Sequence, residues 1–146
     1  MGATPQANQG YFFEDLTTGQ SATFTKTVTE ADIVKFAEIS GDTNPVHLDA
    51  TYAATTMFKQ RIAHGMLSVG FISAVFGTVM PGPGSIYVAQ NLKFKAPVKI
   101  GDTVTARVEV TGNIPEKKFV TFKTQCLVNG KAVIDGDATL MVPSRG

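Results

Sequence analysis

A carboxylate, an amide and an imidazole occur within six residues of this chain, in the segment 42–47. Their carriers are Asp42, Asn44 and His47, in an order that no packing rule requires. An Asp and a His held close together can move a proton to or from a reacting group. Gly-Asp-x-Asn-Pro is also ordinary turn composition, which by itself favours a plain loop. The presence of His47 shifts the interpretation toward acid-base chemistry.

The second of the two histidines, His64, stands directly before Gly65 and a long apolar run. A helix that starts there offers free backbone N–H groups that can hold a developing oxyanion. An acid-base pair near such a helix start is typical of an enzyme acting on acyl groups. His64 could itself face a ligand, although a hydrogen bond that holds the loop at the helix start is the better interpretation.

A long helix is predicted from Gly65 to Met80, because apolar or small residues cover every side of it. No Asp, Glu, Lys or Arg occurs between Arg61 and Lys93, so this helix must be buried. Its sixteen residues span about 24 Å, which is short for a bilayer crossing. Its glycines and the Pro-Gly-Pro-Gly stop at 81–84 also favour a core helix over a membrane span.

Smaller elements precede this helix. Ser21 to Val28 has strand composition, and Thr29 can cap a short amphipathic helix that ends at Gly41. The segment 42–47 is predicted as a loop. Asp49 can cap another short helix that runs toward Met57.

Four segments with a period of two follow the stop, and each predicts a half-buried strand. The Asn129-Gly130 pair predicts a tight hairpin into the last of them, residues 131–142. We expect the four strands to be antiparallel neighbours. The expected inward sets of the first three are Ile86, Val88, Leu92 and Phe94, then Val104, Ala106, Val108 and Val110, then Val120, Phe122, Thr124, Cys126 and Val128.

This order of elements predicts an α+β hot-dog fold, a curved antiparallel five-stranded sheet wrapped around a long central helix. We expect residues 1–10 to form a flexible tail and residues 11–146 one domain. A helix without a polar side also predicts a homodimer, in which the second subunit covers part of it.

Composition narrows the class of protein. The net charge of +1 gives no field for nucleic acid or anionic lipid, so neither partner is expected. The single cysteine, Cys126, predicts a small core residue without disulfide or metal-ligand neighbours, which fits a reducing compartment. The first ten residues lack the features of a secretory signal. We therefore expect a cytoplasmic protein.

The segments 40–47 and 63–67 resemble the signature of the MaoC-like (R)-specific enoyl-CoA hydratases. The resemblance extends over nearly the whole chain, through 84–87 and 94–102. It implies that Asp42 and His47 form a catalytic dyad and that Asn44 helps to hold water. It also implies that the Gly65 N–H receives the thioester oxygen and that Ser73 stands near the dyad.

The implied reaction is syn addition of water to trans-2-enoyl-CoA, giving (R)-3-hydroxyacyl-CoA. It needs no metal and no cofactor, since coenzyme A belongs to the substrate. The resemblance does not decide which of Asp42 and His47 is base and which is acid. Acyl chain length, the pathway and any role of Lys93 and Lys95 stay open.

Three alternatives remain at this point. The same chemistry could run backwards as a 3-hydroxyacyl dehydratase on an acyl-carrier protein, although no pronounced basic run is present to meet an acidic carrier. A hot-dog thioesterase is the second alternative, but many of these enzymes keep a carboxylate in the central helix, and this helix has none. A non-catalytic acyl-thioester binder would gain little from Asp42, Asn44 and His47 together.

Overall fold

The computed structural model of the chain describes residues 9–146. Most of the predicted tail, residues 1–8, lies outside the described residues, and the division into a tail and one domain stays a prediction. The helices and strands of the described part are β1 (Ser21–Thr27), α1 (Glu30–Ser40), α2 (Pro45–Leu48), α3 (Ala50–Ala54), α4 (Gly65–Thr78), β2 (Ile86–Phe94), β3 (Thr103–Ile114), β4 (Phe119–Val128) and β5 (Lys131–Met141), with 3-10 turns at Phe13–Asp15 and Pro115–Lys117.

The five strands form one antiparallel sheet in the order β1-β3-β4-β5-β2. The predicted hairpin joins β4 to β5, and both Asn129 and Gly130 have positive φ, as a two-residue turn of this kind requires. Strand β2 crosses over to lie beside β5 at the edge of the sheet, an order that strand periodicity alone does not give.

Helix α4 packs across β1, β3 and β4, and its apolar side chains form the centre of the core. Ile72 and Val75 are fully buried, and the Phe76 ring meets the Phe122 ring of β4 edge-on with centroids 4.8 Å apart. Truncation of a buried Phe of this kind typically costs about 3–5 kcal/mol. The predicted hot-dog fold is confirmed: an antiparallel five-stranded sheet surrounds a central apolar helix.

The inward sets predicted for β3 and β4 are confirmed, whereas the set predicted for β2 is wrong at Ile86 and Val88. These two side chains are 53% and 46% exposed. The pairing of β2 with β5 shifts between Tyr87 and Ala89, so the bulge reverses which face each residue takes. Tyr87 therefore points to the helix and contacts Phe76 at 5.3 Å between ring centroids. Beyond the bulge Leu92 packs against the core, but Phe94 is 54% exposed, so the predicted inward set is wrong at Phe94 as well.

The helix caps near the candidate site follow the sequence closely. Thr29 and Asp32 form a reciprocal capping box at the start of α1, and Gly41 ends that helix with φ of +80°. Asp49 caps α3 through the N–H groups of Thr51 and Tyr52. This third helix ends at Ala54, short of the predicted extent toward Met57.

The segment 42–47 is not wholly a loop, which corrects the prediction. Its second half begins α2, whose N-cap Asn44 accepts a hydrogen bond from the Val46 N–H at 3.1 Å. Pro45 occupies the first helical position, where its fixed φ suits the helix and its missing N–H is no loss. The Asn-Pro pair was the local signal for this short helix. No helix of residues 9–146 is long and apolar enough to span a membrane.

Candidate active site

His47 lies on α2 with one ring nitrogen already engaged. Its Nδ1–H donates to the Ile62 carbonyl oxygen at 2.8 Å, and the side chain is 8% exposed. A neutral imidazole that donates from Nδ1 has an unprotonated Nε2, which can accept a proton. Burial lowers the pKa of His47 below its usual value of 6.5, and the nearby His64 lowers that pKa further, while the Ile62 bond and Asp42 oppose the shift. His47 is thus suited to act as a neutral base.

Arg61 fixes the backbone that carries this imidazole. Its Nε–H donates to the His47 carbonyl oxygen at 2.7 Å, and its guanidinium pairs with Glu30 at the start of α1. The Ile62 N–H donates to the Val46 carbonyl oxygen at 3.3 Å. Residues 61–62 therefore fix α2 through one side-chain hydrogen bond, from Arg61, and one backbone hydrogen bond, from Ile62. Arg61 has no local sequence signal for this role, because its partners are distant in the chain.

His64 lies between two rings and ties the loop to the start of α4. Its Nε2–H donates to the Asp42 carbonyl oxygen at 2.9 Å, and only 2% of the residue is exposed. The His47 ring stacks on it at 3.8 Å between centroids, and the Phe36 ring of α1 packs at 4.8 Å. His64 therefore touches the backbone of one member of the predicted dyad and the ring of the other.

Asp42, His47 and His64 each offer a polar atom within 4.8 Å of the others. The Asp42 carboxylate is exposed and accepts the Asn44 N–H at 3.2 Å. The nitrogen lone pairs of an imidazole lie in the plane of its ring. The His47 and His64 rings are inclined by only 28°, so their lone pairs point in nearly parallel planes and do not converge on one position. This arrangement suits proton transfer better than the convergent geometry of a metal ion.

A cavity of about 560 Å³ adjoins His64, whereas Asp42, Asn44 and His47 are not among the described residues that line it. His64, Gly65 and Ser68 form its wall at the start of α4, and the other walls are mainly apolar, with Met57, Phe58 and Phe94 among them. A Cβ on Gly65 would lie 2.7 Å from the Phe94 ring, so this position has no room for a side chain. The N-cap His64 makes no side-chain cap on α4, which leaves N–H groups of the first turn for another acceptor.

The remaining predicted site residues lie at different distances from this cavity. Ser73 is exposed on α4, about two turns after Gly65, and is not among the described residues that line the cavity. Lys95 does line it and pairs with Asp135 at 3.5 Å, whereas Lys93 is simply exposed. The roles predicted for Ser73 and Asn44 therefore stay predictions.

Cys126 is the small core residue that the sequence predicts. It is fully buried, and burial raises the pKa of its thiol to about 12. Its Sγ lies 3.4 Å from the Ser68 carbonyl oxygen, to which the thiol donates. A thiol that stays protonated at neutral pH is a poor nucleophile.

An antiparallel five-stranded sheet around a central apolar helix defines a protein of the hot-dog fold. A family model described as "MaoC like domain" matches residues 14–132, and the chain belongs to this family.

Several proteins similar to this chain are named as (R)-specific hydratases. The chain is 67% identical over 136 residues to an (R)-specific enoyl-CoA hydratase of Rhodospirillum rubrum, covering 93% of this chain and 94% of that protein. The unliganded R-hydratase PhaJ1 of Pseudomonas aeruginosa superposes with a TM-score of 0.88 at 49% identity, covering 94% of this chain and 88% of that one. The Aeromonas caviae (R)-hydratase involved in PHA biosynthesis superposes with a TM-score of 0.86 at 42% identity, covering 89% of this chain and 99% of that one.

Proposed function

We propose that this protein is an (R)-specific enoyl-CoA hydratase that adds water to trans-2-enoyl-CoA and forms (R)-3-hydroxyacyl-CoA. The observation that carries the proposal is the hydrogen bond from His47 Nδ1–H to the Ile62 carbonyl oxygen, which leaves the other ring nitrogen free to take a proton beside Asp42. The names of the similar proteins from Rhodospirillum rubrum and Pseudomonas aeruginosa support the same reaction.

The proposed chemistry divides between two sets of groups. Asp42 and His47 hold one water molecule, and the dyad removes its proton while the oxygen bonds to C3. The electrons of the C2–C3 double bond move toward the carbonyl, and the negative charge that develops on the thioester oxygen meets the Gly65 N–H at the positive end of α4. The dyad then returns the proton to C2 from the same side, which gives syn addition.

We propose an acyl-CoA thioester as substrate, of short or medium chain length. The mainly apolar walls of the cavity suit an acyl or pantetheine chain, and Lys95 at its edge is a cation that a phosphate group could meet. We propose that no metal or further cofactor takes part, because the dyad and the helix start supply both the proton transfer and the charge stabilisation. By analogy with the Aeromonas caviae enzyme, the product would feed PHA biosynthesis.

We further propose a homodimer. Strand β2 is an edge strand whose Ile86 and Val88 side chains are exposed, and Val79 just after α4 is 42% exposed. An apolar sheet edge of this kind is normally covered. Ser73 lies on the exposed side of α4, where a second copy would bring it into a buried setting. A monomeric mass by light scattering would contradict the dimer. The cytoplasmic location and the absence of a nucleic-acid partner stay predictions.

The activity is tested with crotonyl-CoA and a longer trans-2-enoyl-CoA. We expect the ultraviolet absorbance of the conjugated thioester to fall, and the product to be oxidised by an (R)-specific but not an (S)-specific 3-hydroxyacyl-CoA dehydrogenase. An unchanged spectrum at every chain length would contradict the proposal. Release of free thiol would indicate a thioesterase, and turnover confined to carrier-protein thioesters would indicate a dehydratase of that class. Tight binding without product would indicate a non-catalytic binder.

A further inference from the structure

Two buried side-chain polar atoms of residues 9–146 lack a hydrogen-bond partner, and both belong to residues of the same cavity wall. They are His64 Nδ1 and Ser68 Oγ, on either side of Gly65 in the sequence. Buried polar atoms are nearly always paired, because leaving one unpaired destabilises the fold. An unpaired polar atom beside a cavity indicates that a polar group of a ligand can pair with it.

Ser68 stands about one turn after Gly65 in α4 and is fully buried. Helical side chains lean toward the N-terminus of the helix, so this hydroxyl lies over the turn that contains Gly65. A serine in a helix commonly donates back to the carbonyl four residues earlier, here that of His64. That carbonyl instead accepts the Leu67 N–H at 3.1 Å, and Ser68 Oγ makes no such bond.

The two unpaired atoms differ in what they can offer. His64 donates from Nε2 to the Asp42 carbonyl oxygen, and in the tautomer that carries its proton there Nδ1 can only accept. The Ser68 hydroxyl carries a proton that it can donate. A thioester oxygen has lone pairs and no proton, so it needs a donor, and Ser68 is the one of the two that meets this need.

We infer that Ser68 donates a hydrogen bond to the thioester oxygen of the substrate, as a second donor beside the Gly65 N–H. The inference rests on the proposed hydratase function. Negative charge grows on this oxygen as water adds to C3, so the bond from Ser68 strengthens in the transition state. Loss of the hydroxyl should therefore reduce kcat more than it raises KM.

The test is Ser68→Ala, examined by kinetics, by thermal unfolding and by infrared difference spectroscopy of bound butyryl-CoA labelled with ¹³C at the carbonyl. We expect kcat to fall about 100- to 1,000-fold. We expect the carbonyl band of the bound thioester to move to higher frequency than in the wild type, because one donor is lost. The Tm of the free protein should rise by about 2–6 °C, because an unpaired buried hydroxyl is removed.

Thr124→Val is the matched control, since Thr124 is also fully buried but its hydroxyl is bonded to Gln90 Nε2 at 2.9 Å. This variant should lose thermal stability and keep the wild-type carbonyl band. A Ser68→Ala protein with unchanged kcat and carbonyl frequency, or with a lowered Tm, would overturn the inference. Failure of the wild type to hydrate any enoyl-CoA would overturn the proposed function instead, and the carbonyl band would still report on Ser68, because butyryl-CoA does not react.

Discussion

The imidazole ring of His47 lies on the ring of His64, with 3.8 Å between centroids and 28° between planes. His64 also donates to the Asp42 carbonyl oxygen, so a single buried side chain contacts both members of the proposed dyad. Burial and the neighbouring His64 both lower the pKa of His47 below its usual value. This relationship governs how the site should respond to mutation and to pH.

Asp42→Asn and His47→Gln should each lower kcat by about 100- to 10,000-fold, because each removes a group that moves the proton of the attacking water. Glu116→Gln is the matched control, since this exposed carboxylate lies in the Pro115–Lys117 turn, outside the site. Steady-state hydration of crotonyl-CoA and circular dichroism of each variant check the prediction. Variants that are folded and retain near wild-type kcat would show that the dyad is assigned wrongly.

The pH profile of kcat/KM should have an acid limb with its midpoint below 6.5, because burial lowers the pKa of His47. The lowered pKa of His47 also makes the free energy of unfolding depend on pH. Below pH 6.5 the unfolded chain binds a proton at this residue more readily than the folded protein does, so the contribution to stability is complete above 6.5 and is lost as the pH falls through the lower folded pKa. Urea unfolding of wild type and His47→Gln across this range measures it. An acid limb above 6.5 would contradict the assignment.

His64→Phe should keep a flat ring between Phe36 and His47 while removing the hydrogen bond to Asp42 and the interaction that helps to lower the pKa of His47. We expect kcat to fall because the Asp42 loop is less well fixed. We also expect the acid limb of kcat/KM to move upward, because His64 contributes to the lowered pKa of His47. The measurement is the pH–rate profile of the variant. An acid limb that stays in place would mean that burial alone sets the pKa of His47.

Gly65→Ala should lower kcat/KM because the new methyl group would meet the Phe94 ring at 2.7 Å and push it into the cavity. The double variant Gly65→Ala with Phe94→Leu gives the methyl group room, and it should recover activity relative to Gly65→Ala. Phe94→Leu alone is the control for loss of the ring. If the double variant is no better than the single one, the harm comes from the helix start itself and not from the ring.

Arg61→Lys should lower both Tm and kcat, because a lysine cannot keep the bond to the His47 carbonyl oxygen and the pair with Glu30 at once. Glu30→Gln removes only the ion pair. The Glu30 side chain is 65% exposed, so this change should cost about 0–1 kcal/mol and leave kcat intact. Thermal unfolding and crotonyl-CoA kinetics of the two variants compare these effects. Equal kcat in both would show that Arg61 does not position His47.

Local features of this fold were predictable from the sequence, because the groups that form them are neighbours in the chain. The capping box of Thr29 and Asp32, the turn at Asn129-Gly130 and the all-apolar helix each depend on contacts within a few residues or on periodicity. The residue types of the candidate site were readable for the same reason, since Asp42, Asn44 and His47 share one segment.

Only the tertiary structure decided how these parts meet. One extra residue in β2 reversed the exposure of Ile86 and Val88, and the crossover placed that strand beside β5. The tautomer of His47 depends on the Ile62 carbonyl oxygen, and the unpaired hydroxyl of Ser68 is visible only once burial is known. Such features arise from groups far apart in the chain, whose approach is fixed by packing of the whole core and therefore has no local signature.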